Sequence, residues 1–398
     1  MCPLRDALAG LTFRGRAFVA AGVTALACAI VLDQTTLQRA ALLGLLLPLV
    51  AAVVLARSQY RLALGRVLAP GSVPVGQRAE VTLTVTNEGR TPSGVLRLEE
   101  QVPYALGARP RFVLDGVGRG WRRQVRYEVR CEQRGRYVLG PMRVLVGDPF
   151  GLVALRREFT STATLLVTPK VVELPAAPLP TGWSGSGDQR PRPAAVGSAE
   201  DLTVRGYRIG DDLRRVHWRS SARAGELMVR QEEQPWQARA TVLLDDRAAA
   251  HAGSRSGLEA AVSAAASVGL HLARRGYEVR LLTTTDAGRP ADPRPTTPAR
   301  LLERLAEVEA SLVTRLPADL ADRVEGDLLV AVLGSLGEAD VPLLARARRT
   351  AATCLALRLG DDGALLAGAG WRQAGFSSEA DLPAAWVAAV AGAPAGAR

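Results

Sequence analysis

The sequence predicts a multidomain protein: an N-terminal transmembrane helical hairpin, then a β-sandwich, then an α/β domain on a parallel sheet. Three observations carry this expectation. Two uncharged apolar runs stand close together near the N-terminus, hydrophobicity then alternates with period two from Val67 to Pro169, and beyond residue 239 apolar strand segments alternate with helical ones. A chain of 398 residues is long enough for two or three domains with their own cores. The boundaries read as 1–66 for the hairpin, 67–170 for the sandwich, 171–198 for a Pro/Gly-rich linker or strap, and 199–398 for a polar motif with the α/β domain.

The first apolar run is Ala17 to Leu32 and the second Ala40 to Ala56, joined by a short polar connection. Each is a little short of the roughly 20 residues that cross a bilayer, and flanking residues extend it. Helices satisfy every backbone group within one segment, so the pair reads as a membrane hairpin, with Pro48 tolerated in the second span. A signal peptide is the alternative, with Ala25, Leu26 and Ala27 ahead of Cys28, but the apolar run continues past that cysteine. Arg5, Arg14 and Arg16 precede the first run and Arg57, Arg61 and Arg66 follow the second. The positive-inside rule then puts both ends, and residues from about 57 onward, on the cytoplasmic side.

In the strand region Val81, Leu83 and Val85 alternate with threonines, and Val125, Tyr127, Val129 and Cys131 alternate with charged residues. Turn signals at Asn87-Glu88-Gly89, Thr91-Pro92 and Gly140-Pro141 cut the region into short strands, as in a small sandwich. From Ala240 onward the expected order is strand 240–244, helix 257–275, strand 277–282, helix 299–312, strand 327–333, helix 338–349, strand 353–359 and helix 382–391. Such alternation means a parallel sheet covered on both faces, with any ligand site beyond the carboxyl ends of the strands, hence near Asp245 and Asp246.

Composition narrows the function. The net charge is +11, yet the chain has one lysine, Lys170, and its other basic residues are arginine. With abundant Ala, Gly, Leu and Val, this is the mark of GC-rich coding rather than of a surface selected to be basic. Without a basic helix carrying interleaved aromatics, nucleic-acid binding is not expected. Cys2, Cys28, Cys131 and Cys354 show no pairing rhythm and His217, His251 and His271 are far apart, so neither a disulfide framework nor a zinc site is implied.

The densest polar chemistry lies between Gly197 and Gln231. Arg205, Arg208, Arg214, Arg215, Arg219, Arg223 and Arg230 are interleaved with Glu200, Asp201, Asp211, Asp212 and Glu226, with Tyr207, His217 and Trp218 among them. Gly210-Asp211-Asp212 predicts a turn and helix start, Leu213 to Ser220 a short helix, and Leu227 to Arg230 a strand. Arginines beside carboxylates form bidentate pairs, which either staple the domain or line a cationic groove for an acidic peptide, a phosphate or a partner's carboxylates. A hydrolytic reading uses His217 as general base with Asp211 to orient it and Ser220 or Ser221 nearby.

The run Arg205-x-Tyr207-x-x-Gly210-Asp211, then Arg215-Val216-His217-Trp218-Arg219-x-Ser221-Ala222-Arg223, then Leu227-x-Val229-Arg230, resembles the signature of the "domain of unknown function 58" proteins. Arg134-Gly135-Arg136-Tyr137, Gly140-Pro141 and Asp148-Pro149-Phe150-Gly151-Leu152 are similar to the segment that precedes that signature; Ile209 departs from the usual proline. The resemblance implies a bacterial protein of the inner (cytoplasmic) membrane, with a sandwich followed by a domain like von Willebrand factor type A. It implies a MoxR-type AAA+ ATPase partner and a transglutaminase-like membrane protein as a further one. A metal-ion-dependent adhesion site needs Asp-x-Ser-x-Ser, whereas this chain has Asp245-Asp246-Arg247-Ala248-Ala249, so no metal and no cofactor is expected. The expected role is a membrane-anchored, non-enzymatic adaptor in cell-envelope-related assembly or maturation, and the alternative is a hydrolase acting on cell-envelope material.

Overall fold

The two apolar runs form helices α1 (Phe13–Val31) and α2 (Thr35–Arg57) in the computed structural model. It describes residues 9–57, 62–88, 95–114, 120–148, 150–179, 204–207, 216–230, 238–251, 255–288, 296–360, 364–367 and 369–392, and divides the chain into units 1–170 and 171–398. Thr12 caps α1 by accepting the Gly15 N–H on its hydroxyl. Both helices are long and apolar enough to cross a membrane, and most of their apolar side chains face outward rather than into a core. Where the helices meet, Ala29 and Ala41 are buried, and a Cβ on Gly22 would come within 2.9 Å of Leu45. Small residues let the two backbones approach closely, as membrane helix pairs do.

The helical pair is bolted to the strands of its own unit. Gly10 accepts the Ala154 N–H, Leu11 forms a β-bridge with Val153, and the Thr12 N–H donates to Leu152 O. A Cβ on Gly15 would lie 2.2 Å from Leu152 O, so only glycine fits there. In the last turns of α2, Ala52 and Leu55 belong to the same strand region's core.

Ten strands follow: β1 (Leu62–Ala69), β2 (Ser72–Pro74), β3 (Arg78–Asn87), β4 (Leu96–Glu100), β5 (Arg111–Leu114), β6 (Arg122–Arg130), β7 (Gly135–Leu139), β8 (Met142–Gly147), β9 (Ala154–Phe159) and β10 (Ala163–Thr168). They form three sheets in the orders β1-β3-β6, β2-β10-β7 and β5-β4-β8-β9. The period-two reading holds in β3, where Val81, Leu83 and Val85 are buried and Thr82, Thr84 and Thr86 are not. Arg66 and Glu100 form a buried ion pair at 2.6 Å, and Arg66 Nη1 also donates to Ser161 O. Burial pushes the Glu100 carboxyl above its ordinary value, against the pull of Arg66.

In the second unit, residues 171–179 run extended along helix α4 (Arg255–Arg274). The Val172 N–H donates to Ser267 Oγ, Arg275 donates to Ala177 O, and Leu174 and Ala177 are buried. This is the strap-like half of the proline-rich segment; residues 180–198 lie outside the described ones. A five-stranded sheet comprises β13 (Arg239–Leu244), β14 (Glu278–Thr283), β15 (Leu328–Leu333), β16 (Thr353–Leu359) and β17 (Arg372–Phe376) in the order β14-β13-β15-β16-β17, all parallel. On one face α4, α5 (Pro298–Ala306) and α8 (Leu382–Ala391) cover Val242, Leu244, Val330 and Leu355. On the other, α6 (Val341–Thr350), the short α7 (Ala364–Ala367) and Trp371 cover Leu243, Leu329 and Ala356. Both faces are dry, so these strands read as continuous apolar runs.

The larger departures from the sequence expectation are two helix boundaries and one strand. The helix expected over 299–312 ends at Ala306, the one expected over 338–349 begins as a 3-10 turn and becomes α-helical at Val341, and β17 is an additional strand. Within α4, Ala261, Ala264, Ala265 and Ala266 are fully buried, which lets the helix lie close on the sheet. Burial pushes the Cys354 thiol in β16 up to about 12, and also raises Cys131, so both stay as inert thiols. Trp386 in α8 is fully buried. Trp386→Ala is expected to destabilise the full chain by about 3–5 kcal/mol in denaturant unfolding.

Candidate functional site

The described part of the arginine-rich motif is a compact strand–helix–strand. β11 (Val204–Gly206) pairs antiparallel with β12 (Met228–Arg230), setting Arg205 opposite Val229, and between them lies helix α3 (Trp218–Ala224). Val216 bridges to Val229, and both are buried. The helix therefore starts later than the expected 213–220, because Val216 is committed to the strand ladder. His217 is the N-cap: its Nδ1 accepts the Ser220 N–H at 3.3 Å. Ser220 Oγ lies 2.7 Å from the same atom. At the other end Gly225 closes the helix at φ 73°, the left-handed region that favours glycine.

Ser221 joins helix to strand. Its buried hydroxyl accepts the Met228 N–H at 2.8 Å and donates to His217 O at 3.1 Å, while the His217 N–H donates to Met228 O. Half-buried Tyr207 adds a backbone bond to Leu227 O. These residues hold the motif together. Trp218 is different: it is 69% exposed, and Arg219 and Arg223 on the same helix are exposed too. Arg205 and Arg230 lie on β11 and β12. Gly210, Asp211 and Arg215, together with Arg208, Asp212 and Arg214, lie outside the described residues, and so does the Asp-capped turn expected there.

The second location is the carboxyl edge of the parallel sheet, where the strand order reverses between β14-β13 and β15, the usual place for a ligand crevice. Asp245 and Asp246 sit there, completely buried. Arg247 folds back between carboxylates. Its Nε and Nη2 reach Asp245 at 2.8 Å each, and its Nη1 reaches Asp340 at 3.1 Å and Thr314 O at 3.2 Å. Asp246 accepts the Thr284 N–H at 3.0 Å, the Thr284 hydroxyl, and the Thr285 hydroxyl at 3.2 Å. Burial pushes the Asp246 carboxyl up, against those bonds. His251 Nε2 donates to Asp245 O at 2.6 Å.

The donor set does not fit a divalent cation, because the guanidinium already engages the oxygens that a hard metal would need. Among the described residues, no group of three or more His, Cys, Asp or Glu is placed to hold a metal. The sequence points to Asp245 and Asp246 but not to Asp340, 93 residues from Arg247. Its only local signal is the Gly337-Glu338-Ala339-Asp340 turn that opens α6.

Two outcomes are expected from this edge. Arg247→Ala strands two buried carboxylates and should cost about 3–5 kcal/mol in denaturant unfolding. Burial raises the Asp340 carboxyl, but the Leu316 and Gly337 N–H groups and the Arg247 guanidinium outweigh it and hold it below the ordinary value. A depressed folded-state pKa gives stability that is present above the unfolded value of about 3.9 and lost as pH falls through the folded one. Asp340→Asn should therefore lower stability at neutral pH and flatten this part of the acid limb in melting temperatures taken across pH.

No curated protein matches the chain. Among solved structures, the CARDB domain of a Pyrococcus furiosus protein in complex with di-metal ions is 17% identical over 27% of this chain and 93% of that one, with a TM-score of 0.21. The C-terminal domain of wzt is 17% identical over 29% and 77%, at 0.21, and a Listeria innocua beta-glucosidase is 14% identical over 28% and 16%, at 0.18. Residues 203–361, which hold the arginine-rich motif and strands β13 to β16, match the family model described as protein of unknown function DUF58, in support of the resemblance that the motif carries.

Proposed function

We propose that the protein is a membrane-anchored, non-enzymatic adaptor that binds a partner through the exposed face of α3. The observation that carries this reading is the division of labour within the motif: His217 and Ser221 are spent on capping and splicing, while Trp218, Arg219 and Arg223 project outward. Tryptophan and arginine are the residue types that most often dominate a binding interface once a partner desolvates them. A MoxR-type AAA+ ATPase is the proposed partner, in cell-envelope-related assembly or maturation, with a transglutaminase-like membrane protein as a further proposed component of the same machinery.

The hairpin holds the protein in the inner membrane. Its outward-facing apolar side chains support this, and arginines at both ends of the hairpin favour the cytoplasm for residues from about 57 onward. In the finer architecture, the strand-rich region serves as a β-sandwich and the parallel-sheet domain resembles von Willebrand factor type A. In that reading Arg247 would place a cation near the metal position of an adhesion site.

A second reading rests on the 2.7 Å contact between Ser220 Oγ and His217 Nδ1, the geometry of a hydroxyl beside its base. It describes a hydrolase of cell-envelope material. Against it, a proton taken up on Nδ1 would break the cap bond from the Ser220 N–H, so catalysis and helix start would compete for one lone pair.

Crosslinking pull-down from membranes separates the two. Trp218→Ala and Arg223→Ala are expected to leave the melting temperature unchanged and to weaken recovery of the ATPase by about 2 kcal/mol, roughly thirtyfold. Undiminished recovery overturns the α3 surface. Hydrolysis of envelope material that Ser220→Ala abolishes and Trp218→Ala spares would establish the second reading instead.

A further inference from the structure

The turn from Asp148 to Val153 has a construction that neither the fold nor the adaptor surface explains. Asp148 accepts the Val153 N–H on one oxygen at 2.6 Å and the Phe150 N–H on the other at 3.0 Å, and its carbonyl accepts the Gly151 N–H. Gly151 has φ 69°, which makes any side chain there strained. The next residue, Leu152, is buried in the strand core, and its carbonyl accepts both the N–H and the hydroxyl of Thr12, the cap of α1. Gly151 O takes the Thr12 hydroxyl as well, at 2.6 Å.

Phe150 lies among these bonds, and its N–H is held by Asp148. The ring is 63% exposed, and Phe13 in the first turn of α1 is 88% exposed. Cations stand beside them: Arg14 and Arg16 are exposed, and Arg14 Nη1 lies 3.9 Å from where a Gly151 Cβ would be. Immediately beyond Arg16, α1 becomes uncharged and apolar through Val31. Outward aromatic rings interleaved with arginines, at the start of an apolar helix, are the chemistry of a bilayer's headgroup boundary, where rings enter the acyl edge and guanidinium groups meet lipid phosphates.

We infer that Phe150, held between Asp148, Gly151 and Leu152, together with Phe13, Arg14 and Arg16, is a lipid seat that rests in the anionic headgroup layer and holds the strand-rich region against the membrane surface. The inference builds on the membrane-anchored reading and adds a second, interfacial contact outside the spans. The occupant is lipid because the patch is continuous with the first turn of an apolar, bilayer-length helix.

Depth-resolved quenching tests it on the full chain in phosphatidylglycerol-containing liposomes. Cys2 and Cys28 are replaced by serine, buried Cys131 and Cys354 remain, and an environment-sensitive fluorophore is attached through Phe150→Cys or, separately, through Leu46→Cys on the outward face of α2. The Leu46 probe is expected to be quenched by lipids spin-labelled deep in the acyl chain. The Phe150 probe is expected to be quenched by shallow labels, about 5–10 Å into the boundary, and less so when Arg14→Gln and Arg16→Gln are added. Quenching at Leu46 with none at Phe150 overturns the seat and leaves the anchor standing; a blue-shifted but unquenched Phe150 probe also overturns it, in favour of a protein contact. Quenching at neither position overturns anchor and seat together.

Discussion

One guanidinium holds the second unit's carboxyl edge in place. Arg247 lies between Asp245 at the end of β13 and Asp340 ahead of α6, and its bond to Thr314 O draws in the loop between α5 and β15. Removing three charged groups from water is costly, and it is tolerable here because every oxygen facing the arginine has a donor at bonding distance. Asp246 sits beside this cluster and, among the described residues, is held by threonine donors rather than by a cation. The crevice that an open α/β sheet offers to ligands is thus occupied by the protein's own charges.

In the arginine-rich motif, residues a few positions apart differ in what holds them. Polar atoms that point inward, such as Ser221 Oγ and His217 Nδ1, replace backbone partners that a short helix between two short strands cannot supply. Residues that point outward, Trp218 foremost, have no such duty. Within one seven-residue helix and its N-cap, His217 and Ser221 are tied to the backbone while Trp218, Arg219 and Arg223 stay exposed.

Much of the architecture was legible from periodicity alone. Uncharged runs marked the helices, alternation marked β3, and continuous apolar runs marked β13, β15 and β16, since covering a sheet on both faces removes the alternation. β17 escaped because Arg372-Gln373-Ala374-Gly375-Phe376 has neither pattern; it is a strand only because β16 offers it an edge. The start of α3 was misplaced because histidine is not among the usual capping residues and because pairing of Val216 with Val229 outranked local helix signals. At the sheet edge the sequence showed Asp245 and Asp246 and the loss of hydroxyl ligands. It could not show that Arg247 turns inward to Asp340, since a pairing across 93 residues leaves no local trace. Phe150 was visible within its motif, but its exposure depends on the distant cap at Thr12.

The alanine-lined face of α4 has an evolutionary consequence. Ala261, Ala264, Ala265 and Ala266 are fully buried, and a Cβ on Gly269 would sit 2.5 Å from Leu301. A single base change in an alanine codon leads to valine, threonine, proline, an acid, serine or glycine, and all but the last two add bulk, charge or a ring. Helix and sheet already lie at close approach, so drift on this face is confined to the smallest residues, while the neighbouring strands can exchange one branched side chain for another. In a genome rich in G and C, the coding bias that supplies alanine and the packing that demands it act in the same direction, and this stretch should be among the slowest in the chain to diverge.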